Sequence, residues 1–516
     1  MRSLSRSWFA GATVAIVATV LAPGSASAKK PLPPPPPPAS GGGTSTTSTY
    51  VKNYANVLNG VEYQLTAADV QSTSDGGWLA LADTQAPSGV GVSWLVKANA
   101  VGALQWQEEI GCLNTPPGAY SDELSLRPTS DGGYVLGGGT VGCGSGANCP
   151  SLSGLQCGLV EKVDGTGHVL WARVYSAGPN GTVIDQVEPT SDGGFVAVGS
   201  ATDSNGNPAA LVLKLDGVGD IQWQRKLART GAGWSLFGVV RQTSDGGYIA
   251  VGEVNDGSNG STGEPLVSIL AVKLDAAGNV TWQHGFNDVG SSGVTAVEHA
   301  KAVVQTSDGG YAIGGDWKSQ PFADECCQGA LLLKLTSSGA IEWQKAYSGG
   351  VQCSFNGYSE TCNTVGGGVD SLHQTADGGY LLAGDADDPQ LVPWLAKVDG
   401  NGALVWQKTV YQTNPRTGRP ISEDFASSAL TPVGPLAIGF TENPTSGTGE
   451  LLGVQTDANG NIGTCGQVHT ATALSAVDPG LAQISPGLAV DQNIGSQSPA
   501  PVQTQATAAA ATASQC

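Results

Sequence analysis

Residues 243–282 read TSDGGYIAVGEVNDGSNGSTGEPLVSILAVKLDAAGNVTW, and this stretch decides the fold. It opens on Thr243-Ser244-Asp245-Gly246-Gly247-Tyr248 and closes on Lys273-Leu274-Asp275, a glycine turn and Trp282. Asp-Gly tolerates a positive φ and closes a tight hairpin, and the Thr and Asp side chains can bond turn amides. Between the turns lie short apolar, β-branched runs that read as strands. The unit therefore parses as four strands. Strand A runs into the Asp-Gly-Gly turn, B follows it, C ends in Lys-apolar-Asp, and D carries the tryptophan.

The same unit recurs on both sides. Its first half stands at Thr73–Trp78, Thr129–Tyr134, Thr190–Phe195 and Thr306–Tyr311, and at Thr375–Tyr380 with Ala376 in place of Ser. Its second half ends at Trp106, Trp171, Trp223, Trp343 and Trp406. A seventh copy, ALTPVGPLAIGFT followed by LLGVQTDANGNIGTC, lacks both Asp-Gly-Gly and Trp. Four-stranded units recurring every roughly 50–70 residues imply a β-propeller. Tyr50-Val51-Lys52-Asn53-Tyr54 matches the D-strand pattern of Trp343–Tyr347 but precedes the first A strand. It is expected to complete blade seven and close the ring without free edges. The expectation is an all-β, seven-bladed β-propeller of four-stranded blades spanning residues 46–465, with the repeated aromatic residues packed between blades.

Composition agrees. The chain has 516 residues, 75 of them Gly and 29 Pro, and only 13% are charged. That argues against long amphipathic helices and doubly wound folds. With 23 basic and 43 acidic residues it lacks the basic footprint of a nucleic-acid binder. Residues 1–28 read as a signal peptide: Arg2 and Arg6, an apolar run from Trp8 to about Leu21, and Ala26-Ser27-Ala28 for cleavage. No other apolar run is long enough to span a membrane. Residues 29–45 form a Pro/Gly-rich linker. The tail, residues 466–516, has no aromatic or basic residue and is expected to be disordered. The expected protein is a secreted monomer, in the periplasm, outside the cell or on its surface.

The A–B and C–D turns fall on one face and are uniform, whereas the long insertions, 140–157, 255–265, 316–329, 347–368 and 411–424, fall on the other. Variable loops on a rigid scaffold suit binding, and unconstrained drift is the alternative. Ten cysteines in an oxidising compartment can pair fully. Cys112, Cys143, Cys149 and Cys157 form one loop group and Cys326, Cys327, Cys353 and Cys362 a second, which leaves Cys465 and Cys516 for each other.

Acids gather at the starts of the inner A strands: Asp69, Asp122, Glu123, Asp185, Glu298, Asp370, Glu423 and Asp424. Convergence of Asp185, Glu298, Asp370 and Asp424 on the channel mouth would call for a hard cation such as Ca²⁺; otherwise they are solvated rim charges. In the latter case the variable face is a neutral glycan or protein surface, with Trp317, Tyr358 and Arg416 as contacts. His299 and His373 lie near these acids, so an acid/base site at the mouth is conceivable. Arg127 and Arg241 share a repeat position, two residues before the repeat threonine. No HExxH or GxSxG occurs, and no catalytic residue is assigned.

The SDGGY…KLD..G..W pattern resembles the secreted bacterial propeller repeats labelled delta-60 or PQQ-like. The resemblance covers most of residues 50–463 and implies architecture more than activity. The Lys-x-Asp…Trp half is similar to the tryptophan-docking motif of eight-bladed quinoprotein dehydrogenases, with a shorter Asp-to-Gly gap here. In some of these, adjacent cysteines like Cys326-Cys327 form a vicinal disulfide over PQQ. The Thr-x-Asp-x-Gly half looks like the structural Asp-box of sialidases. The leading functional expectation is a secreted or cell-surface binding module that presents its disulfide-ordered face to a glycan or an extracellular protein. The alternatives are a carbohydrate-active hydrolase or lyase at the channel mouth and a PQQ-type dehydrogenase.

Overall fold

The computed structural model describes residues 49–514 except for loop segments, chiefly 86–90, 112–119, 142–155, 259–264, 289–294, 321–327, 356–359, 415–417 and 463–467 together with shorter stretches between strands. The described chain contains strands and turns and no helix. It folds as the seven-bladed propeller expected. In blade four, Ser235–Gln242, Tyr248–Ser258, Pro265–Leu274 and Val280–Asp288 pair antiparallel in sequence order. The innermost strands are Thr66–Ser72, Tyr120–Pro128, Thr182–Pro189, Ser235–Gln242, Thr295–Gln305, Gly367–Gln374 and Ser422–Leu430. Ring closure follows the sequence reading: Tyr50–Tyr54 pairs antiparallel with Leu451–Gln455 as the fourth strand of blade seven.

The apolar core is divided among the interfaces between blades. One buried cluster joins blades one and two through Leu95 and Leu136, another joins blades five and six through Leu332 and Val398, and one joins the seventh blade to the first through Leu436 and Val96. In four blades the aromatic residue after Gly-Gly packs edge-on against a tryptophan of the preceding blade, as in Trp223–Tyr248 at 5.7 Å and Trp282–Tyr311 at 5.8 Å, and in blade one Trp78 packs edge-on against Tyr54 of the closing strand. The D strand then reaches the C–D turn of the next blade. Tyr175 donates its hydroxyl to the Gly219 carbonyl at 2.7 Å, and Tyr347 does the same to Gly402 at 2.9 Å. Tyr54 of the closing strand repeats the contact with Gly102 at 2.7 Å. The turn glycines must be glycine: at Gly278, φ is +78°, and a Cβ would lie 2.7 Å from the Trp223 ring.

Six blades carry a polar pin that explains the repeat's otherwise puzzling lysine. In blade four the Thr243 hydroxyl donates to Asp245 at 2.5 Å, the Gly247 amide donates to the same carboxylate at 3.0 Å, and Lys273 Nζ approaches it to 2.9 Å. Lys273 also donates to the Leu274 carbonyl. The matching pairs are Lys97–Asp75, Lys162–Asp131, Lys214–Asp192, Lys334–Asp308 and Lys397–Asp377. Blade seven has lost the aspartate, and Gln455 stands in the lysine's place. Its amide nitrogen donates to the Gly434, Pro435 and Thr456 carbonyls, and its oxygen accepts from Thr431. Losing both charges together avoids a buried ammonium without a counter-ion.

Described residues of the tail form short strands along the outer edges of the blades. Seven short strands, from Val468–Thr470 to Ala510–Ser514, add a fifth strand outside each blade. The first pairs with Lys408–Val410 of blade six. The next five pair with blades five, four, three, two and one in turn. The last pairs with the closing strand at Lys52–Asn56. A segment too polar to build a core can still add to an existing sheet edge, because edge pairing needs only backbone groups.

Candidate functional site: the central channel

Each inner strand has a register shift partway along it, and the skipped residue is Asp185 in blade three, Lys301 in blade five and Asp370 in blade six. Such bulges re-aim side chains, which suits channel-lining positions. Two polar layers result.

The layer nearer the uniform turns is a stitch. Asp69 accepts from the Val70 and Leu126 amides and from the Ser427 hydroxyl, and it pairs with Arg127. Arg127 and Arg241, which share a repeat position, both pair with Glu188, at 3.0 and 3.2 Å. The residue before the core-facing amide plays the same part elsewhere: Ser125 accepts from Val187, Gln186 from Val240, and Ser371 from Ser428. His373 donates from Nε2 to the Ser428 carbonyl at 2.7 Å. Burial, with the charges of Arg241 and Arg127 adding to it, pushes its pKa down to about 4, so the ring is neutral. The charges of this layer cancel and its groups bond one another, a structural arrangement.

The layer nearer the variable loops spans blades four to seven. His299 Nδ1 lies 2.6 Å from Glu253. Burial opposes the charged ring, but Glu253 and Asp316 outweigh it and raise the His299 pKa. Lys301 Nζ lies 2.9 Å from Asp370 and 3.4 Å from Asp316 Oδ1. Burial disfavours the Lys301 charge, but Asp370, Asp316 and Asp385 together hold its pKa well above the ordinary value. Asp385 behaves oppositely. Burial, then the neighbouring Asp370 charge, pushes its pKa up to about 8 despite Lys301, so it carries a proton at neutral pH. Gly368 packs against this cluster: a Cβ on it would lie 3.1 Å from Lys301 Nζ and 3.2 Å from Asp385 Oδ1, closer than ordinary contact, so a larger residue would press on both.

Of the four acids expected to converge, Asp370 and Asp424 both act on Asp385. Asp185 is a half-buried bulge residue of blade three, and the Glu298 side chain lies outside the described residues. Among the described residues no group of three or more His, Cys, Asp or Glu is arranged to hold a metal ion. A lysine ammonium, not an empty cation position, sits among the carboxylates of blades five and six. Asp69 and Glu123, read as rim acids, are buried instead, at 6% and 0% exposure; the Asp122 and Glu423 side chains lie outside the described residues. Trp317 is half-buried and packs against the core between blades four and five. Tyr358, Arg416, Cys112, Cys143, Cys149, Cys326, Cys327, Cys465 and Cys516 lie outside the described residues. Cys157 is buried and disulfide-bonded. Cys353 and Cys362 stand directly opposite each other in the hairpin Val351–Phe355/Glu360–Thr364. A groove of about 440 Å³ between blades four and five, lined by Asp245, Lys273, Trp282 and Ser337, opens among the uniform turns and holds none of the expected site residues.

Sequence reading missed Lys301, Glu253, Asp316 and Asp385. The three acids had a signal: each stands five residues after the aromatic of its Gly-Gly-aromatic motif, as Asp83 does in blade one. Blades two and three have Gly139 and Ser200 there, so the row of acids is confined to one side of the ring.

No known protein family matches the sequence, and no curated protein does. Among solved structures, a protein of unknown function from Dyadobacter fermentans is 12% identical over 78% of this chain and 98% of its own, with a TM-score of 0.37. One from Bacteroides caccae is 11% identical over 67% of this chain and 93% of its own, at 0.32. The exotype rhamnogalacturonan lyase YesX is 13% identical over 79% of this chain and 74% of its own, at 0.31. Likenesses this distant carry no argument about function.

Proposed function

We propose that the protein is a secreted or cell-surface binding module of the delta-60 or PQQ-like propeller type, exported on residues 1–28, whose ligand site is the channel mouth over blades four to seven. The observation that carries this reading is the cluster of Lys301, Asp370, Asp316 and Asp385 packed around Gly368, with Lys301 2.9 Å from Asp370 and 3.4 Å from Asp316. Ammonium and protonated acid are hydrogen-bond donors there and the carboxylates are acceptors, an array that suits the paired donor and acceptor character of sugar hydroxyls. The ammonium of Lys301 is already paired with Asp370 and Asp316, so an anionic ligand is repelled by the surrounding acids and a neutral glycan is favoured.

Titration calorimetry against neutral hexaoses of xylose, glucose, mannose and galactose tests the reading. At least one should bind. Lys301→Met should weaken it by ten-fold or more, and Ser337→Ala in the groove on the uniform face should leave it unchanged. Absence of binding across the panel, or equal binding by Lys301→Met, would refute the mouth as a glycan site.

A further inference from the structure

The tail strands follow the ring in order. They start at Val468, Ser475, Leu481, Leu488, Ser496, Gln503 and Ala510, six to eight residues apart, and each pairs antiparallel with the outermost strand of one blade. The blades are visited as six, five, four, three, two, one and then seven. Each is the ring neighbour of the one before, so the strands from Val468 to Ser514 complete one circuit of the propeller. The sequence suits a stepped path. Asp478-Pro479-Gly480 and Ser485-Pro486-Gly487 separate three of the strands, and proline has no amide to give to a ladder. A belt that makes one full turn brings its two ends back to the same place. The first strand sets Val468 opposite Val410 in the outer strand of blade six, and the last sets Ser514 opposite Lys52 in the closing strand of blade seven. Val410, Val51 beside Lys52, and Ile462 after the last turn of blade seven are buried in one cluster between blades six and seven. Cys465 stands three residues from both Ile462 and Val468, and Cys516 two residues beyond Ser514. Three residues of extended chain reach about 10 Å. The two cysteines lie outside the described residues, but the residues flanking them meet at this one junction.

We infer that Cys465 and Cys516 form a disulfide that closes the tail into a covalent belt around the propeller. The bond forms by exchange with an oxidising disulfide. The thiolate of one cysteine attacks the donor disulfide and releases one donor thiol, and the thiolate of the other attacks the resulting mixed disulfide and releases the second. The two cysteines are oxidised, the donor is reduced to two thiols, and the protons lost by the cysteines are taken up by the donor. The step rests on the export reading, which places the chain where such donors persist, and not on the glycan reading. What the bond does follows from how the tail is held. Its described hold on the ring is strand pairing over three to five residues per blade. Segments this short fray from a free end. Closing the belt removes the free ends, so the pairings no longer peel away one after another, and the outer edges of all seven blades stay covered.

The test uses the chain as secreted, equilibrated with a glutathione redox pair so that bond formation reads geometry and not the route of export. Asp478 and Asp491 lie between the two cysteines, so non-reducing digestion at aspartate puts them on separate peptides, and mass spectrometry should find these peptides joined. Hydrogen exchange then measures the fastening. In the double variant Cys465→Ser/Cys516→Ser, amides of Lys408–Val410 and Lys52–Asn56, at the two ends of the belt, should exchange at least ten-fold faster. The inner strands Gly367–Gln374 and Ser422–Leu430 should be unchanged, which also establishes that the variant is folded. Cys465 joined to a cysteine other than Cys516, or both recovered as free thiols from the folded protein, would overturn the inference. Equal exchange at the belt ends in the variant and the wild type would overturn the fastening in the same way. A chain held in the cell as thiols that forms the bond in the redox buffer would count against export alone and leave the inference standing.

Discussion

Removing Asp245 and Lys273 singly and together measures the pin on which six blades depend. Lys273 is 5% exposed, and the Asp245 side chain is 61% exposed. Asp245→Ala deletes the contacts to Thr243, Gly247 and Lys273 and leaves the ammonium with the Leu274 carbonyl. A fully buried charge without its partner costs about 3–5 kcal/mol. Water reaches this site through the exposed aspartate position, so about 2 kcal/mol is expected. The titration of Asp245 gives a second estimate. Burial pushes its pKa up, but the Thr243 hydroxyl, Lys273 and the Gly247 amide outweigh this and hold it at about 2, against an ordinary 3.8. At about 1.4 kcal/mol per unit this shift is worth at most about 2.5 kcal/mol, and solvent screening at an exposed carboxylate brings it to about 1. Lys273→Gln should cost about 1 kcal/mol. The double variant reproduces the charge-free state of blade seven and should cost about 1–1.5 kcal/mol, well below the sum of the singles. Urea unfolding at pH 7 provides the cycle. The sign with pH follows. A depressed carboxylate contributes stability above its unfolded pKa and loses it as pH falls toward the folded value. Asp131, Asp192 and Asp308 are also held at about 2, so the wild type should lose stability steeply between about pH 4 and 2, and the double variant less so. Additive single costs would refute the pin as a coupled unit.

Glu161 is fully buried in blade two, neither of its oxygens has a hydrogen-bond partner among the described residues, and burial pushes its pKa up to about 8. A raised carboxyl binds its proton more tightly folded than unfolded, so stability declines as pH rises from about 4.5 to 8; Glu161→Gln should add about 1–3 kcal/mol at pH 7.5 and nothing at pH 4, and a loss of stability at both would contradict this. Truncation after residue 465 should leave the propeller folded but expose its outer edges. Hydrogen exchange of outer-strand amides such as those of Lys226–Arg229, which pair with Leu488–Asp491, should then quicken at least ten-fold, and unchanged protection would mean the tail does not cover them.

The repeat by itself determined the architecture. Thr-Ser-Asp-Gly-Gly-aromatic and Lys-x-Asp…Trp each specify a local turn and strand, and six copies with a degenerate seventh count the blades. Tyr50–Tyr54 could be recognised as a displaced D strand because its aromatic and lysine spacing survives out of order, and the same spacing delivers the Tyr54–Gly102 contact. The site was less legible because it belongs to no single repeat. Lys301 matters only through Asp316 beside it in blade five and Asp370 in blade six, residues 15 and 69 positions away that the ring brings within 3.4 and 2.9 Å. A lysine in one repeat and an aspartate in the next look like ordinary surface charges until the bulge turns both toward the channel. Asp385 shows the same limit: in sequence it is one more acid, and only its burial beside Asp370 keeps it protonated. The tail shows a related limit. Its composition rules out a core of its own, but pairing with an edge depends on the backbone of the blades it meets, and those edges exist only once the ring has closed.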